Sequence, residues 1–159
     1  NFATIDNALK INNKMPKYIS NSLQNSIKKL GLKKSILVSG LSYKSNVEDM
    51  RDSASFKVIN ELVSSGYQVF GYDPFFREEI IKKYLIENNL NEINFELVDN
   101  LNDSILERIS CICIVQHHDI TFEQINEIYK KSKVPLIYDC QNKIKNDSNS
   151  KTILDCLGN

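Results

Sequence analysis

The sequence predicts an α/β fold: a three-layer αβα sandwich in which helices cover both faces of a mostly parallel sheet, preceded by a long helix. From Ser35 onward, short apolar runs of strand length alternate with segments that have the helical period. These runs have few polar interruptions, as is typical of parallel strands that are buried on both faces. Before Ser35, apolar residues recur at the helical period over one long stretch.

Composition bounds the class of protein. The 159 residues, 42% of them hydrophobic, are enough for one globular domain with a buried core. Acidic and basic residues balance to a formal net charge of zero, so nothing indicates a surface for nucleic acid or for a membrane. No apolar run approaches the roughly 20 residues of a membrane span, and the first residues do not resemble a signal peptide. We therefore expect a cytoplasmic protein.

The cysteines agree with that expectation. They form no zinc-type C-x-x-C pair, and a chain of this size needs no disulfide framework, so we expect reduced thiols at Cys111, Cys113, Cys140 and Cys156. Cys111 and Cys113 have strand spacing and should share one buried face. No catalytic cysteine is visible.

The first element is predicted to be helical from about Thr4 to Leu30, with Gly31 as its C-cap residue. Pro16 lies inside this pattern, so the stretch is either one kinked helix or a short helix followed by a second one. Its apolar stripe must be buried either against the sheet of the same chain or against a partner subunit or an upstream domain.

The remaining elements follow in alternation. We expect strands and helices in this order: SILVSG, a helix from Ala54 to Ser65 closed by Gly66, QVFGYD, a helix from Arg77 to Asn88, FELV, a helix from Leu101 to Arg108, CICIVQ, a helix from Phe122 to Lys131, and PLIYDC. The polar stretch KNDSNS is expected to be a flexible loop before the tail.

The loop after the first strand has the sequence GLSYKSNVEDMRDSAS. It is long, because a strand-to-helix connection usually has about 2 to 6 residues. In an open parallel sheet such a loop borders the ligand crevice. Gly40 allows a sharp turn, and Asp52 or Ser53 can cap the next helix, whose start favours an anion. Lys44 and Arg51 add positive charge, which indicates a phosphate-bearing ligand. A solvated loop with local ion pairs is the alternative.

Other residues at this edge of the sheet bear on alternative functions. The loop lacks the G-x-G-x-x-G fingerprint of an ordinary NAD-binding domain and the acidic cluster of a phosphate-accepting receiver domain. Asp73 ends the second strand, where it could bind a ribose or form a turn with Pro74. His117, His118 and Asp119 close the fourth strand; we favour a loop-lining role over a metal site, because adjacent strand residues point to opposite faces.

The residues from Gly40 to Ser55, followed by a helix and VFGYDP, resemble the C-terminal nucleotide-sugar-binding domain of the UDP-glucose and GDP-mannose dehydrogenase family. Seven of them fall in step with one long family motif: Gly40, Tyr43, Lys44, Asn46, Asp49, Arg51 and Ser53. The resemblance is looser at both ends, where KINNKMPKYI is similar to the family's central helix and IYDCQNKI to its late D-x-R-N strand.

This resemblance implies a Rossmann-like domain over residues 33–159 that binds a UDP-sugar. Residues 1–32 would be the C-terminal part of the long helix through which such enzymes form homodimers. The implied activity of the full-length protein is that of an NAD-dependent UDP-sugar 6-dehydrogenase, which oxidises the C6 alcohol of a UDP-hexose to a uronic acid. NAD would be bound mainly by an upstream domain. That domain and the family's cysteine nucleophile are not in this sequence, so we expect the chain alone to be inactive.

The motif also implies roles for individual residues. Tyr43 and Lys44 correspond to residues that contact the substrate, and Arg51 corresponds to an arginine that reaches toward NAD. Gln141 stands where the family usually has a substrate-binding arginine; a glutamine keeps hydrogen bonding but supplies no charge. No metal ligand or catalytic residue is implied within this chain.

A second hypothesis remains open. The chain could be a non-catalytic nucleotide-binding or dimerisation module that kept the fold and lost the chemistry, and Gln141 favours this alternative. The sequence does not identify the sugar, because glucose, N-acetylglucosamine and N-acetylmannosamine derivatives all fit the resemblance.

Overall fold

The computed structural model describes the backbone of residues 2–87 and 94–158, and the side chains of residues 9–87 and 94–158. Within these ranges the elements are α1 (Phe2–Lys29), β1 (Ser35–Ser39), α2 (Ala54–Ser64), β2 (Gln68–Tyr72), α3 (Glu78–Glu87), β3 (Phe95–Leu97), α4 (Asp103–Arg108), β4 (Cys111–Ile114), α5 (Asp119–Lys130), β5 (Leu136–Asp139) and β6 (Ile153–Cys156). The predicted helix end at Asn88 lies outside the described residues.

The six strands form one sheet in the order β3-β2-β1-β4-β5-β6, and every neighbouring pair is parallel. Strand order reverses between β1 and β4, which is the topological switch point of a Rossmann-type sheet. The predicted α/β fold with a mostly parallel sheet and a preceding long helix is therefore confirmed.

The core consists of two apolar clusters, one on each face of the sheet. Alternation along β1 places Ile36 and Val38 in the first cluster and Leu37 in the second. Helices α1, α2 and α3 cover the first face, while α4 and α5 cover the second. Because both faces are buried, the strands need apolar residues at nearly every position, which explains their continuous hydrophobic runs.

The first element is one helix, with Pro16 inside it. Its second half packs on the domain through three buried residues at helical spacing, Ile19, Leu23 and Ile27. Gly31 follows with a positive φ of 63°, and its N–H donates to the carbonyl of Lys28, as predicted for a C-cap glycine. No helix in the described residues is long and apolar enough to cross a membrane.

The structure adds one strand that the sequence did not predict, and it corrects one expectation about where a strand ends. The tail contains the sixth strand, β6, which pairs with β5 and leaves Ile153 44% exposed at the sheet edge. An edge strand of this kind forms because its neighbour offers unpaired backbone groups, and its own residues carry only a weak periodic signal. His117, His118 and Asp119 do not close β4, which ends at Ile114; His118 is instead the N-cap residue of α5, which begins at Asp119.

Gly40 is expected to be indispensable for the turn out of β1. Its φ is 83°, and a Cβ at this position would lie 2.0 Å from the carbonyl oxygen of Gln116. Gly40→Ala should lower the free energy of unfolding by more than about 2 kcal/mol, because a left-handed alanine costs 1–2 kcal/mol before any overlap is counted. Urea denaturation measures this loss.

Gly66→Ala is the matched control. Gly66 has a similar φ of 79°, but an added Cβ would meet nothing within 4 Å. Gly66→Ala should lower the free energy of unfolding by about 1 kcal/mol, through backbone strain alone. Equal losses in the two variants would contradict the close approach of Gly40 to Gln116.

Candidate functional site

The candidate site lies at the carboxyl edge of the sheet, on both sides of the switch point. Loop 40–53 leaves β1, and segment 115–118 leaves the neighbouring strand β4. Backbone hydrogen bonds close the gap between strands here: Gly40 N–H donates to Tyr72, and Val115 N–H donates to Ser39. Ligands of open parallel sheets bind in this crevice, so the residues that shape these two connections determine what the site can hold.

The carboxylate of Asp73, directly after β2, anchors the start of loop 40–53. Its Oδ2 atom accepts from the N–H of Leu41 at 2.7 Å and from the N–H and hydroxyl of Ser42 at 2.9 and 2.7 Å. The same oxygen lies 3.0 Å from His118 Nε2, and Oδ1 accepts from the N–H of Phe75 at 3.0 Å. Asp73 is buried and its oxygens are occupied by protein donors, so the ribose-binding interpretation does not hold and the turn interpretation does.

These donors also determine the charge state of Asp73. Burial by itself would raise the pKa of this carboxyl group, but hydrogen bonds from His118, Ser42 and the Phe75 N–H outweigh burial and lower the pKa below its ordinary value. Asp73 is therefore a carboxylate at neutral pH, and the anionic form is the one that its surroundings stabilise.

A second buried carboxylate repeats this arrangement at the end of β5, which two strands separate from β2. Asp139, the last residue of β5, accepts from the N–H of Gln141 through Oδ1 and from the N–H groups of Lys143 and Ile144 through Oδ2. His117 Nε2 lies 2.9 Å from Asp139 Oδ1. Burial again favours a higher pKa, and the hydrogen bonds from His117 and the backbone reverse it, so the pKa of Asp139 is lowered.

The two adjacent histidines thus face different carboxylates. His118 is buried and accepts a hydrogen bond from the N–H of Asn46 at Nδ1, 2.9 Å away, so its proton lies on Nε2, toward Asp73. In the described residues no group of three or more His, Cys, Asp or Glu side chains is arranged to hold a metal ion. The hydrogen bonds of the two rings agree with a loop-lining role, because each ring connects segment 115–118 to a neighbouring loop.

Lys44 and Tyr43 are exposed residues of the predicted site. The N–H of Tyr43 donates to the carbonyl of Asp49 at 2.7 Å, which closes the tip of the loop, while the Tyr43 ring stays more than half exposed. The Lys44 ammonium lies 5.4 Å from the centre of that ring and forms no ion pair with a carboxylate of the described residues. Its charge is therefore available to a ligand.

Arg51 is paired within the loop. Its guanidinium binds Asp49 through two parallel hydrogen bonds, Nε to Oδ1 at 3.0 Å and Nη2 to Oδ2 at 2.8 Å. These bonds with Arg51 lower the pKa of Asp49 to about 2. Because the Arg51 side chain is 84% exposed, the pair orients the guanidinium and leaves its other N–H groups in solvent. Asp49 is thus the acid that orients and neutralises Arg51.

Ser53, and not Asp52, is the N-cap residue of α2. The Ser53 hydroxyl accepts from the N–H of Ser55 at 3.2 Å, while Asp52 has a positive φ of 58° in the turn before the helix.

Gln141 lies in the loop after β5, and its Oε1 atom is buried with no hydrogen-bond partner among the described residues. No described contact joins Gln141 to Lys44 or Arg51; the two loops are connected through the histidines and their carboxylates.

Sequence reasoning missed the anchoring roles of Asp139 and His118. The available signal was the repeated dipeptide Tyr-Asp at the ends of two strands, at Tyr72-Asp73 and Tyr138-Asp139. A carboxylate in the first position after a buried parallel strand can accept the N–H groups of the next loop. The histidine partners, 45 and 22 residues away, leave no local signal.

Asp73→Asn is expected to lower the free energy of unfolding by about 3 kcal/mol at neutral pH, because the buried N–H donors and His118 lose their anionic acceptor. A carboxyl group whose pKa is lower in the folded state stabilises the fold above its unfolded pKa and loses this contribution as pH falls through the folded pKa. The wild-type protein should therefore lose stability between about pH 5 and pH 2, and the variant should lose less over that range.

Asp103→Asn is the control for this titration. Asp103 forms an exposed ion pair with Lys133 at 2.6 Å, so its replacement should cost less than about 1 kcal/mol. Urea denaturation at a series of pH values compares the three proteins. A pH profile of Asp73→Asn that runs parallel to the wild-type profile would show that the Asp73 carboxylate is not an anchor.

Comparison with known proteins agrees with the resemblance read from loop 40–53. Residues 37–146 match the family described as the UDP-glucose/GDP-mannose dehydrogenase family, UDP binding domain. A UDP-N-acetyl-D-mannosamine dehydrogenase from Methanococcus vannielii is 34% identical over 142 residues, which cover 87% of this chain and 30% of that protein. A UDP-glucose 6-dehydrogenase from Rhizobium meliloti is 28% identical over 116 residues, which cover 73% of this chain and 25% of that protein.

Solved structures have the same fold. A GDP-mannose dehydrogenase from Pseudomonas aeruginosa superposes with a TM-score of 0.72 at 14% identity, over 98% of this chain and 34% of that chain. A UDP-D-ManNAc dehydrogenase from Pyrococcus horikoshii superposes with a TM-score of 0.71 at 22% identity, over the same fractions. The chain spans less than a third of the length of the relatives from Methanococcus vannielii and Rhizobium meliloti. The chain belongs to the UDP-glucose/GDP-mannose dehydrogenase family and contains its UDP binding domain.

Proposed function

We propose that this chain is the nucleotide-sugar-binding part of an NAD-dependent UDP-sugar 6-dehydrogenase, an enzyme that oxidises the C6 alcohol of a UDP-hexose to a uronic acid. The observation that carries the proposal is loop 40–53, which presents the Lys44 ammonium, paired with no described carboxylate, at the switch point of the sheet. The relatives named UDP-N-acetyl-D-mannosamine dehydrogenase favour an N-acetylated hexosamine as the sugar.

The loop suits a diphosphate for electrostatic reasons. Lys44 supplies a full positive charge that no described carboxylate neutralises, and a phosphate can approach it from solvent. Tyr43 beside it offers an exposed ring that can pack on the ligand. The loop backbone is held by Asp73 and by the Tyr43 to Asp49 hydrogen bond, so little conformational entropy is lost when a ligand binds.

Arg51 suits a second anionic group, and we assign it to NAD. The Asp49 pair holds the guanidinium outward, and its remaining N–H groups can donate to a phosphate oxygen. NAD, which would be bound mainly by another part of the full-length protein, supplies the hydride acceptor for the oxidation. Within this chain, Arg51 would hold one end of that cofactor at the domain interface.

Gln141 is assigned to substrate binding. Its backbone N–H is held by Asp139, and its side-chain oxygen is buried without a described partner. A rotation of this side chain would let the oxygen accept a hydrogen bond from a ligand hydroxyl or amide. A glutamine cannot neutralise phosphate, which would place more of the electrostatic binding on Lys44. The same substitution supports the alternative function, a non-catalytic nucleotide-binding or dimerisation module on this fold.

Lys44→Ala should weaken UDP binding about 10- to 100-fold, since a hydrogen bond to a charged group contributes roughly 1.5–3 kcal/mol. Titration of UDP into the chain, followed by backbone amide shifts in NMR spectra, measures the affinity and locates the site. The shifts should centre on residues 40–55 and should be weaker with NADH.

Lys131→Ala is the matched control for the loss of one lysine charge. Lys131 is the C-cap residue of α5, at the opposite edge of the sheet, and pairs only with Glu127 among the described carboxylates. Its replacement should leave UDP affinity unchanged. Absence of shifts in residues 40–55 at millimolar UDP would contradict the assignment of this loop to the nucleotide.

We further propose that the full-length protein is a homodimer through α1. Helix α1 exposes apolar side chains that the domain does not cover, including Ile11 at 62% and Tyr18 at 54%. Helical spacing places Ile11 and Tyr18 on a different side of α1 from the stripe that is buried against the domain. A second copy of the chain could cover them.

Light scattering after size-exclusion chromatography tests the dimer. Ile11→Glu combined with Tyr18→Glu should convert dimers to monomers, because two charges would enter an apolar interface. Ile86→Glu, which changes an apolar residue on α3 that is 70% exposed, should have no effect on the dimer. A wild-type chain that is monomeric at all concentrations tested would count against α1 as an interface.

A further inference from the structure

Loop 40–53 is joined to segment 115–118 and to the first residue of α5 by hydrogen bonds that involve side chains. Gln116 Nε2 donates to Ser45 Oγ at 2.6 Å, and the N–H of Asn46 donates to His118 Nδ1 at 2.9 Å. Asn46 Nδ2 donates to Asp119 Oδ2 at 2.8 Å, and the N–H of Asp119 donates back to Asn46 Oδ1 at 3.0 Å. Asn46 thus binds the neighbouring connection through its backbone and its side chain.

His118 is the buried member of this group and has no freedom of tautomer. Its Nδ1 atom must be unprotonated to accept from Asn46, and its Nε2–H donates to the Asp73 carboxylate, 3.0 Å away. The Phe75 ring packs against the imidazole with a centroid distance of 5.0 Å, and the side chain has no exposed surface. The orientation of the ring is therefore determined on both edges and one face.

The hydrogen bond from Asn46 supports an unusual backbone conformation. Asn46 has a φ of 59°, in the left-handed region, where asparagine is tolerated but where most residues are strained. Its N–H would need another acceptor if His118 were absent. Bonds to His118 and Asp119 thus stabilise the turn that follows Lys44.

Lys44 consequently lies between two residues that depend on the same buried pair. Ser42, two residues before it, is bound to Asp73, and Asn46, two residues after it, is bound to His118. Asp73 and His118 are themselves hydrogen bonded. The backbone that carries Lys44 is therefore held at both ends by one Asp–His unit from two other connections of the sheet.

We propose that His118 is a positioning residue for nucleotide binding: through Nδ1 it holds Asn46, and through Asn46 it holds the Lys44 backbone in the geometry that binds the diphosphate. This inference rests on the proposed function of loop 40–53. It assigns no direct ligand contact to His118, whose ring is buried beneath the loop.

Two substitutions separate the two edges of the ring. In His118→Gln the side-chain amide reaches the position of Nε2 and can still donate to Asp73, but no acceptor remains for Asn46. In His118→Asn the shorter side chain places its oxygen near the position of Nδ1 and can still accept from Asn46. His117→Gln is the control for the exchange of the Asn46 amide, since His117 is directed at Asp139 and has no described side-chain bond to loop 40–53.

The first readout is hydrogen exchange of the Asn46 amide without nucleotide, and the second is UDP affinity by NMR titration. His118→Gln should speed up Asn46 exchange about tenfold and weaken UDP binding about three- to tenfold, as expected for the loss of one hydrogen bond. His118→Asn should keep more of the Asn46 protection and of the UDP affinity than His118→Gln. His117→Gln should leave Asn46 exchange unchanged. Urea denaturation verifies that each variant is folded at the temperature of the assay.

The wild-type chain also provides a test that needs no folded variant. A scalar coupling across the hydrogen bond between Asn46 N and His118 Nδ1 should be measurable in the uniformly labelled protein, and its absence would overturn the inference. Unchanged Asn46 exchange in His118→Gln would also overturn it. So would weaker UDP binding without faster exchange, because His118 would then act by contacting the ligand.

Failure of the proposed function has a different signature. If UDP does not bind to the wild-type chain, the nucleotide role of loop 40–53 is wrong, and the nucleotide part of the inference is wrong with it. Fast Asn46 exchange in His118→Gln would in that case still show that His118 holds the backbone around Lys44, because this exchange is measured without nucleotide.

Discussion

The buried carboxylate of Asp73 is the group on which the geometry of the candidate site depends. It lies at the end of β2 and accepts hydrogen bonds from the loop after β1 and from the histidine after β4. An unpaired charge at this depth would be costly, and it is tolerated because protein donors replace the lost water. Two of these donors are the backbone N–H groups of Leu41 and Ser42, which follow β1, so the hydrogen bonds that satisfy the charge also determine the path of loop 40–53.

Asp139 and His117 repeat this solution at the end of β5. The pair holds the loop that contains Gln141, as Asp73 and His118 hold the loop that contains Lys44. Because His117 and His118 are adjacent, segment 115–118 connects both loops across the switch point. The crevice of this UDP binding domain is thus bordered by two loops whose backbones are held from beneath by buried Asp–His pairs, while their outward side chains differ.

Charge is distributed by depth at this edge. The acids that end β2 and β5 are buried and serve the fold, whereas the Lys44 ammonium and the Arg51 guanidinium project into solvent. A net charge of zero for the whole chain conceals this separation. For a ligand that carries phosphates the relevant quantity is the local field of the exposed cations, and the proposed function depends on that field. Arg51 combines a fixed orientation with an available charge, because Asp49 orients the guanidinium and leaves its other N–H donors in solvent.

Much of the fold could be predicted from the sequence by itself. Periodicity and apolar runs determined α1, the first five strands and the helices between them, and loop 40–53 was recognisable from Gly40, Lys44, Arg51 and its length. These features are local, because an element's period is contained in its own residues. Tertiary structure alone decided that β6 pairs with β5, that Asp73 and Asp139 anchor loops, and which tautomer His118 adopts. Each of these depends on a partner distant in sequence, such as Asn46 and His118, 72 residues apart, and the hydrogen bond of a buried group is determined by whatever donor the fold brings within reach.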